Sequence, residues 1–350
     1  MLLKFDNIFF SGNLVTENMS VCNVNGKYYD NSFRECIEKS FYKPGSIMII
    51  KVPENERTYV YSDEYRVKFY LNEQFYDENL KYDYTKKSFQ NELHTIGIKE
   101  RRLEAYKNFF KCLHIDDSLG FNMKYLDYDY GLSKPTFVKC RPIDTPKKSI
   151  IFALENVYLG HHMLHLIKDD IQFEKKDSSK VIWRGVNSGY ERGTRARRTT
   201  LVKNFIDSKS IDVGFTSFIY RHKNILPDEH KYLKPKISIS EQLKYKFILS
   251  IEGNDFATNL LWIMLSNSVP ICPKHFIETW VMESKLVPWV HYVPVKNDFS
   301  DLKEVYTICL RNDDLVKEIM YNSKLFGYQF LDIQRENSIK IKVINHFFNN

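Results

Sequence analysis

At 350 residues, with 43% hydrophobic and 15% aromatic content, the chain has apolar mass enough for two ordinary domains, which excludes a disordered chain. Its formal net charge of +7 is mild, so it suits an anionic small ligand or an anionic surface and does not demand nucleic acid. No charge-free apolar run reaches the ~18 residues of a spanning helix. The start, MLLKFDNIFFSG, is broken by Asp6 and lacks a small-residue cleavage pattern, and the six scattered cysteines form no CxxC pair. The expectation is a cytosolic protein with reduced thiols.

Residues 1 to about 95 mix strand-like runs at 46–52 and 58–61 with Tyr-rich polar connections. Over 100–113, Leu103, Tyr106, Phe109, Phe110 and Leu113 recur at helical spacing. Asp127-Tyr128-Asp129 comes next. Such a triplet can hold a divalent cation on a sugar nucleotide, a lone aspartate can serve as a general base, and a solvated turn is the ordinary reading of so short a motif. A strand at 136–138 enters Lys139-Cys140-Arg141-Pro142. His161, His165 and Asp169 share one helical face, as metal ligands would. With no HExxH glutamate and no nearby fourth ligand, a helix surface is the better reading.

A polar stretch at 173–180 places a domain boundary near 175. Beyond it, strands near 181, 211–215, 246–251, 269–272 and 290–295 alternate with helices near 198–206, over 255–266 and from about 300. Alternation of this kind predicts a parallel sheet with helices on both faces.

Two segments of this half carry candidate chemistry. In WRGVNSGYERGTRARR (183–198), a strand ends at Arg184-Gly185 and a polar loop through Asn187 leads into a helix near Arg198. Arg184, Arg192, Arg195, Arg197 and Arg198 face a single acid, Glu191, a set suited to bidentate capture of a phosphate or diphosphate. A solvated basic loop is the bland alternative. A nucleic-acid patch would have only Tyr190 for stacking.

In KYKFILSIEGNDFATNLLWIMLSNSVPICP (244–273), the apolar run Phe247, Ile248, Leu249 and Ile251 stops at Glu252-Gly253-Asn254-Asp255. Ala257, Leu260, Leu261, Met264 and Leu265 then follow helical spacing. The reading is a strand, a tight turn through Gly253, and a helix capped by Asn254 or Asp255. Free N–H groups at such a turn favour anions, and Glu252 is placed to accept bonds from sugar or ribose hydroxyls. An ordinary connection with no ligand is an equal alternative on spacing alone.

Four blocks in order, PTFVKCRPI (135–143), VIWRG with Arg198-x-x-Leu201, KYKFILSIEGNDFATNLLW (244–262) and ETWVMESKLVPWVHYVPVKNDFSDL (278–302), resemble glycosyltransferase family 90 over about residues 120–340. The SIEGND form is closest to the family's bacterial lipopolysaccharide branch. The resemblance implies an α/β, GT-B type architecture with two Rossmann-like domains facing a central cleft. Residues 1–175 would be the acceptor-side domain, of which 1–100 match the family poorly. Residues 176–350 would bind the nucleotide sugar, and the last helix is free to cross back.

The implied activity is inverting, metal-independent transfer from a UDP-sugar to a hydroxyl of a glycan or glycolipid acceptor, such as lipopolysaccharide core or another surface glycan. No cofactor and no nucleic acid take part. The setting is cytoplasmic, with loose attachment to the inner face of a membrane. The family's general base falls on Asp127, with Asp129 the alternative, and Lys139 and Arg141 lie on the acceptor side of the cleft. The phosphate-binding arginine falls on Arg198, or on Arg192 if spacing from WRG is kept. Animal members carry a further arginine where this chain has Leu260, so Arg195, Arg197 or the backbone N–H groups around Ala257, Thr258 and Asn259 are the substitutes. Gly185, Asn187 and the Gly253–Asp255 turn complete the donor side, with backbone groups near Asp212, Val213, Gly214 and Phe215 reading the uracil. Two other readings stay open: a metal-dependent transferase using Asp127 and Asp129, and a non-catalytic protein that binds anions or nucleic acid.

Overall fold

The computed structural model describes residues 3–5, 8–10, 61–71, 122–124, 136–143, 149–153, 163–189, 197–219 and 228–349. In chain order the strands are β1 (Leu3–Phe5), β2 (Ile8–Phe10), β3 (Asn122–Lys124), β4 (Thr136–Val138), β5 (Cys140–Pro142), β6 (Ser149–Ile151), β7 (Asp177–Val186), β8 (Ile211–Ser217), β9 (Tyr245–Leu249), β10 (Val269–Pro273), β11 (Ile277–Thr279) and β12 (Val293–Val295). The helices are α1 (Asp63–Leu71), α2 (Arg197–Phe205), α3 (Ile239–Gln242), α4 (Leu260–Leu265), α5 (Leu302–Arg311), α6 (Asp313–Tyr328) and α7 (Ile333–Asn349).

The chain divides into two compact units. One takes in the described parts of Met1–Val60, Leu159–His275 and Lys285–Ile333. The other takes in those of Tyr61–Tyr158, Phe276–Ser284 and Gln334–Asn350.

The first unit is built on a five-stranded sheet in the order β12-β10-β9-β7-β8, every pairing parallel. The near-continuous apolar runs dictate this. Val181 and Ile182 in β7, Phe247, Ile248 and Leu249 in β9, and Val269 and Ile271 in β10 are all buried, as strands covered on both faces require. Helix α4, buried along its whole length, packs on α6 and β10, while α2 lies on β8 and α5 on β12.

Numbered by chain order within the sheet, the strand sequence is 2-1-3-4-5. The chain leaves β7 for the edge strand β8 and then returns to the other side of β7. The winding therefore reverses between β7 and β9, and ligands of doubly wound sheets bind beyond the carboxyl ends at such a point.

The second unit holds the parallel sheet β3-β4-β6 and the antiparallel pair β5-β11. Tyr70 stacks on Trp280 at 3.8 Å between ring centroids, and Phe152 and Phe137 extend the cluster to Phe347 of α7. Beside it, Arg66 binds Glu336 through both terminal nitrogens at 2.5 and 2.8 Å, and Trp280 Nε1 donates to the same carboxylate. These charges are buried and paired, the condition under which burial is tolerable.

Two expectations need correction. The helix placed over 255–266 begins only at Leu260, so residues 250–259 form a ten-residue loop and not a tight turn. The strand placed at 290–295 is confined to Val293–Val295, because residues 287–292 close on themselves. The runs at 46–52 and 58–60 and the helix at 100–113 lie outside the described residues.

Candidate functional site

The carboxyl ends of β7 and β9 are next to each other, and the loops that follow them, 187–189 and 250–259, are sewn together. Gly189 N–H donates to Asn254 Oδ1 at 2.7 Å. Gly189 sits at φ +92°, in the left-handed region, and a Cβ there would lie 2.9 Å from Gly253 O. Gly253 is not left-handed, contrary to the turn expected of it. Its requirement is proximity, since a Cβ would lie 2.5 Å from Ser188 Oγ and 3.0 Å from Arg198 Cζ.

Arg198 is the staple of this arrangement. It stands in the first turn of α2 with its guanidinium over the Trp183 ring. Nε and Nη2 donate to Ile251 O at 3.2 and 2.8 Å, and Nη1 donates to Val186 O at 3.3 Å and Ser188 Oγ at 2.7 Å. Burial pulls its pKa down to about 10, while Asp255 and Glu252 pull the other way, so it stays cationic at neutral pH. Nη2 carries two hydrogens and has one acceptor, so one N–H is left for a ligand.

Asn259 closes the loop from its far end. Its Nδ2 donates to Leu249 O at 2.9 Å and its Oδ1 accepts from Ser250 Oγ at 3.0 Å. It precedes α4, but neither it, Asn254 nor Asp255 caps the helix with a side chain. The backbone N–H groups of Ala257, Thr258 and Asn259 donate to no group among the described residues, and Thr258 is exposed. Three consecutive unpaired donors in the loop after β9, in the same loop whose Ile251 carbonyl Arg198 holds, can bind an anion.

The other predicted donor residues have structural partners. All three nitrogens of Arg184 are engaged: Nε with Pro235 O, Nη1 with Trp183 O and Asp212 O, and Nη2 with both carboxylate oxygens of Asp212 at 3.0 Å. Burial pushes the Asp212 carboxyl up, but Arg184 and Lys234 outweigh it and hold it below the usual range. Gly185 is fixed by the indole of Trp183, 2.5 Å from where its Cβ would stand. Asn187 is buried and accepts Ile219 N–H through Oδ1 at 2.6 Å.

The uracil position expected along β8 is covered. The Lys234 stem lies across Gly214, Lys234 N–H takes Phe215 O at 2.8 Å, and the Phe215 ring is core. Glu252 does not look out on an open crevice either. It is buried with Oε2 3.1 Å from Arg197 Nη2, which withdraws Arg197 from any phosphate.

In the second unit Arg141 is likewise withdrawn. Nε binds Glu278 Oε1 at 2.6 Å, and its other nitrogens reach Tyr70 O, Ser149 O and Phe69 O. Lys139 is buried between β4 and β5. Asp127, Asp129, Arg192, Arg195 and His161 lie outside the described residues. His165 and Asp169 are exposed and sit in turns instead of on a helix face, and among the described residues no group of three His, Cys, Asp or Glu side chains could hold a metal.

Sequence reasoning passed over Ser188, Gly189 and His275. The first two were visible only as part of a polar, glycine-containing loop. His275, just past β10, has Nδ1 3.9 Å from Glu252 Oε1 and a buried Nε2 with no partner among the described residues. Burial, helped by the Arg197 charge, lowers its pKa to about 4 and keeps it neutral. Nothing in the spacing around His275 marks it.

A family model described as glycosyl transferase family 90 matches residues 154–346. The chain is 32% identical over 215 residues to O-glucosyltransferase LpsA of Dichelobacter nodosus, covering 61% of this chain and 62% of that protein. It is 30% identical over 165 residues to protein O-glucosyltransferase 2 of Danio rerio, covering 45% of this chain and 29% of that one. It is 28% identical over 150 residues to protein O-glucosyltransferase 1 of Rattus norvegicus, covering 41% and 37%. The chain thus spans less than two thirds of the length of each of these relatives.

Proposed function

The chain belongs to glycosyl transferase family 90, and on that premise we propose that it transfers a sugar from a UDP-sugar to a hydroxyl of a glycan or glycolipid acceptor. The observation that carries the donor half is the reversal of strand order between β7 and β9, with open N–H groups gathered beyond it. In this reading the diphosphate lies against the N–H groups of Ala257, Thr258 and Asn259, the Ser188 hydroxyl and the remaining N–H of Arg198. Arg192 is a further clamp from the same loop.

Asp127, or Asp129 two residues on, takes the proton from the acceptor hydroxyl as its oxygen attacks C1 of the donor sugar from the face opposite UDP. That attack inverts the anomeric carbon, and the C1–O bond to the β-phosphate breaks. Charge building on the leaving phosphate is met by Arg198 and the backbone donors, so the reaction needs no divalent cation in this proposal. A GT-B arrangement, a cytosolic setting and loose membrane association belong to the same reading, and nucleic acid has no part in it.

The test is a panel of UDP-sugars assayed for UDP release with and without EDTA. UDP-glucose heads the panel because the relatives' names specify O-glucosyl transfer. Asp127→Asn should cost roughly 10²–10⁴-fold in transfer with UDP affinity unchanged, while Asp129→Asn keeps most activity. The reverse result moves the base to Asp129. Activity lost in EDTA and restored by manganese would overturn metal independence.

A further inference from the structure

Residues 284–296 read Ser-Lys-Leu-Val-Pro-Trp-Val-His-Tyr-Val-Pro-Val-Lys, an apolar segment whose charged residues are lysines at either end. Leu286, His291, Tyr292, Val293 and Val295 are buried, whereas Val287, Pro288 and Trp289 are exposed, Val287 at 38% and Trp289 at 37%. A loose loop would fold such side chains inward. This one is held out. Val287 N–H donates to Nδ1 of the buried His291 at 2.9 Å, and His291 N–H returns to Val287 O at 2.9 Å. Val290 N–H also donates to Val287 O, and Trp289 N–H to Tyr292 O at 2.8 Å. Burial lowers the His291 pKa to about 3, so its ring remains the neutral acceptor this bracket needs. Trp289 sits at φ +62°, a conformation that a bulky residue adopts only under constraint.

Pro288 has no N–H, and the N–H groups of Val287, Trp289, Val290 and His291 are all paired internally. A tip without spare backbone donors loses little on leaving water, and it offers little to a sugar, whose hydroxyls need partners. Its indole N–H has no partner among the described residues. An apolar ring with a polar edge is the chemistry of the bilayer interface. The approach to the tip carries Lys285, and no acid lies between 284 and 296.

We propose that Val287, Pro288 and Trp289 form a membrane-contact tip that enters the headgroup–acyl boundary of a bilayer bearing anionic lipid. Apolar insertion and the basic charge of the chain are the two weak signals that together give peripheral attachment. The inference rests on the membrane association of the proposed reading and gives it a site; its test reads lipid binding alone, so its failure leaves the sugar-transfer reading standing.

The other three tryptophans, Trp183, Trp262 and Trp280, are at most 4% exposed, so Trp289 is the fluorophore a bilayer can reach. The experiment mixes the full chain with vesicles of equal parts phosphatidylcholine and phosphatidylglycerol carrying acyl-brominated lipid, and measures quenching and sedimentation. The expected result is partial quenching that Trp289→Asn abolishes, with the sedimented fraction falling roughly ten-fold. Asparagine tolerates the left-handed backbone, so this variant should keep the loop conformation, and circular dichroism checks that it stays folded. Val287→Ser, which meets no backbone strain, should weaken sedimentation in the same direction. Unchanged sedimentation of both variants overturns the proposal. So does an emission change on adding maltotriose with none on adding brominated vesicles, which would make the tip a glycan contact.

Discussion

Replacing Gly253 by alanine sets a methyl group where the loops after β7 and β9 touch. The backbone there is not left-handed, so alanine meets no conformational penalty and the whole cost is contact. The new Cβ stands 2.5 Å from Ser188 Oγ and 3.0 Å from Arg198 Cζ and Nη1, while ordinary contact begins near 3.4 Å. The hydroxyl can swing aside, but only by giving up the 2.7 Å bond from Arg198 Nη1. A charge-assisted bond of that kind is worth ~1.5–3 kcal/mol, and forced overpacking typically costs ~1–3 kcal/mol. Destabilisation near 2 kcal/mol is therefore expected, read as a lower urea midpoint at unchanged slope. If the loops also carry the diphosphate, UDP affinity measured by calorimetry should fall roughly ten- to thirty-fold. Ser188→Ala removes the clashing oxygen, so the double variant should recover ~1 kcal/mol relative to the sum of the single changes. Additive single effects would refute the contact argument. A full stability loss with unchanged UDP affinity would refute the placement of the diphosphate.

Arg184→Ala should lower stability by ~1–3 kcal/mol, since it leaves the Asp212 carboxylate with Lys234 as its remaining cationic partner and frees Asp212 O, Trp183 O and Pro235 O, yet change UDP affinity less than about three-fold in calorimetry. A large loss of affinity in a stable protein would return Arg184 to the ligand. Arg141→Met breaks a buried pair with Glu278 and should cost ~3–5 kcal/mol by urea denaturation, and an unchanged midpoint would contradict the pairing. Burial, opposed by the hydrogen bonds from Thr279, raises the Glu283 carboxyl to about 8 from its ordinary 4.5. Between those values the native state holds the proton that the unfolded chain has released. The stability contributed by Glu283 is thus full below about 4.5 and lost as pH rises through about 8. Melting temperature measured against pH should fall across that window, and Glu283→Gln should flatten the fall.

The sequence by itself determined the parallel sheet, while the strand order that sets its switch point came from the tertiary structure. The β-branched run Phe247 to Ile251 and the polar break at Glu252 are local patterns, and burial on both faces leaves such runs no other home. It also carried the family, because the WRG and SIEGND blocks are contiguous. What it could not carry was the assignment of partners. Arg184, Arg197 and Arg198 look alike within one basic stretch, but Asp212 claims the first, Glu252 the second and the Ile251 carbonyl the third. Asp212 is brought in by β8, and Ile251 and Glu252 by the loop after β9. Gly253 was legible as a glycine, but its reason, an approaching Ser188, comes from the neighbouring strand's loop. The late start of α4 has a more local cause, since Asn259 bonds back to Leu249 and Ser250 and holds the preceding residues out of the helix that their periodicity predicts. Periodicity is a property of neighbours along the chain. A hydrogen bond between side chains tens of residues apart exists only once the sheet has brought their strands together, and so tertiary structure alone decided which charges are spent on the fold and which donors remain open to a ligand.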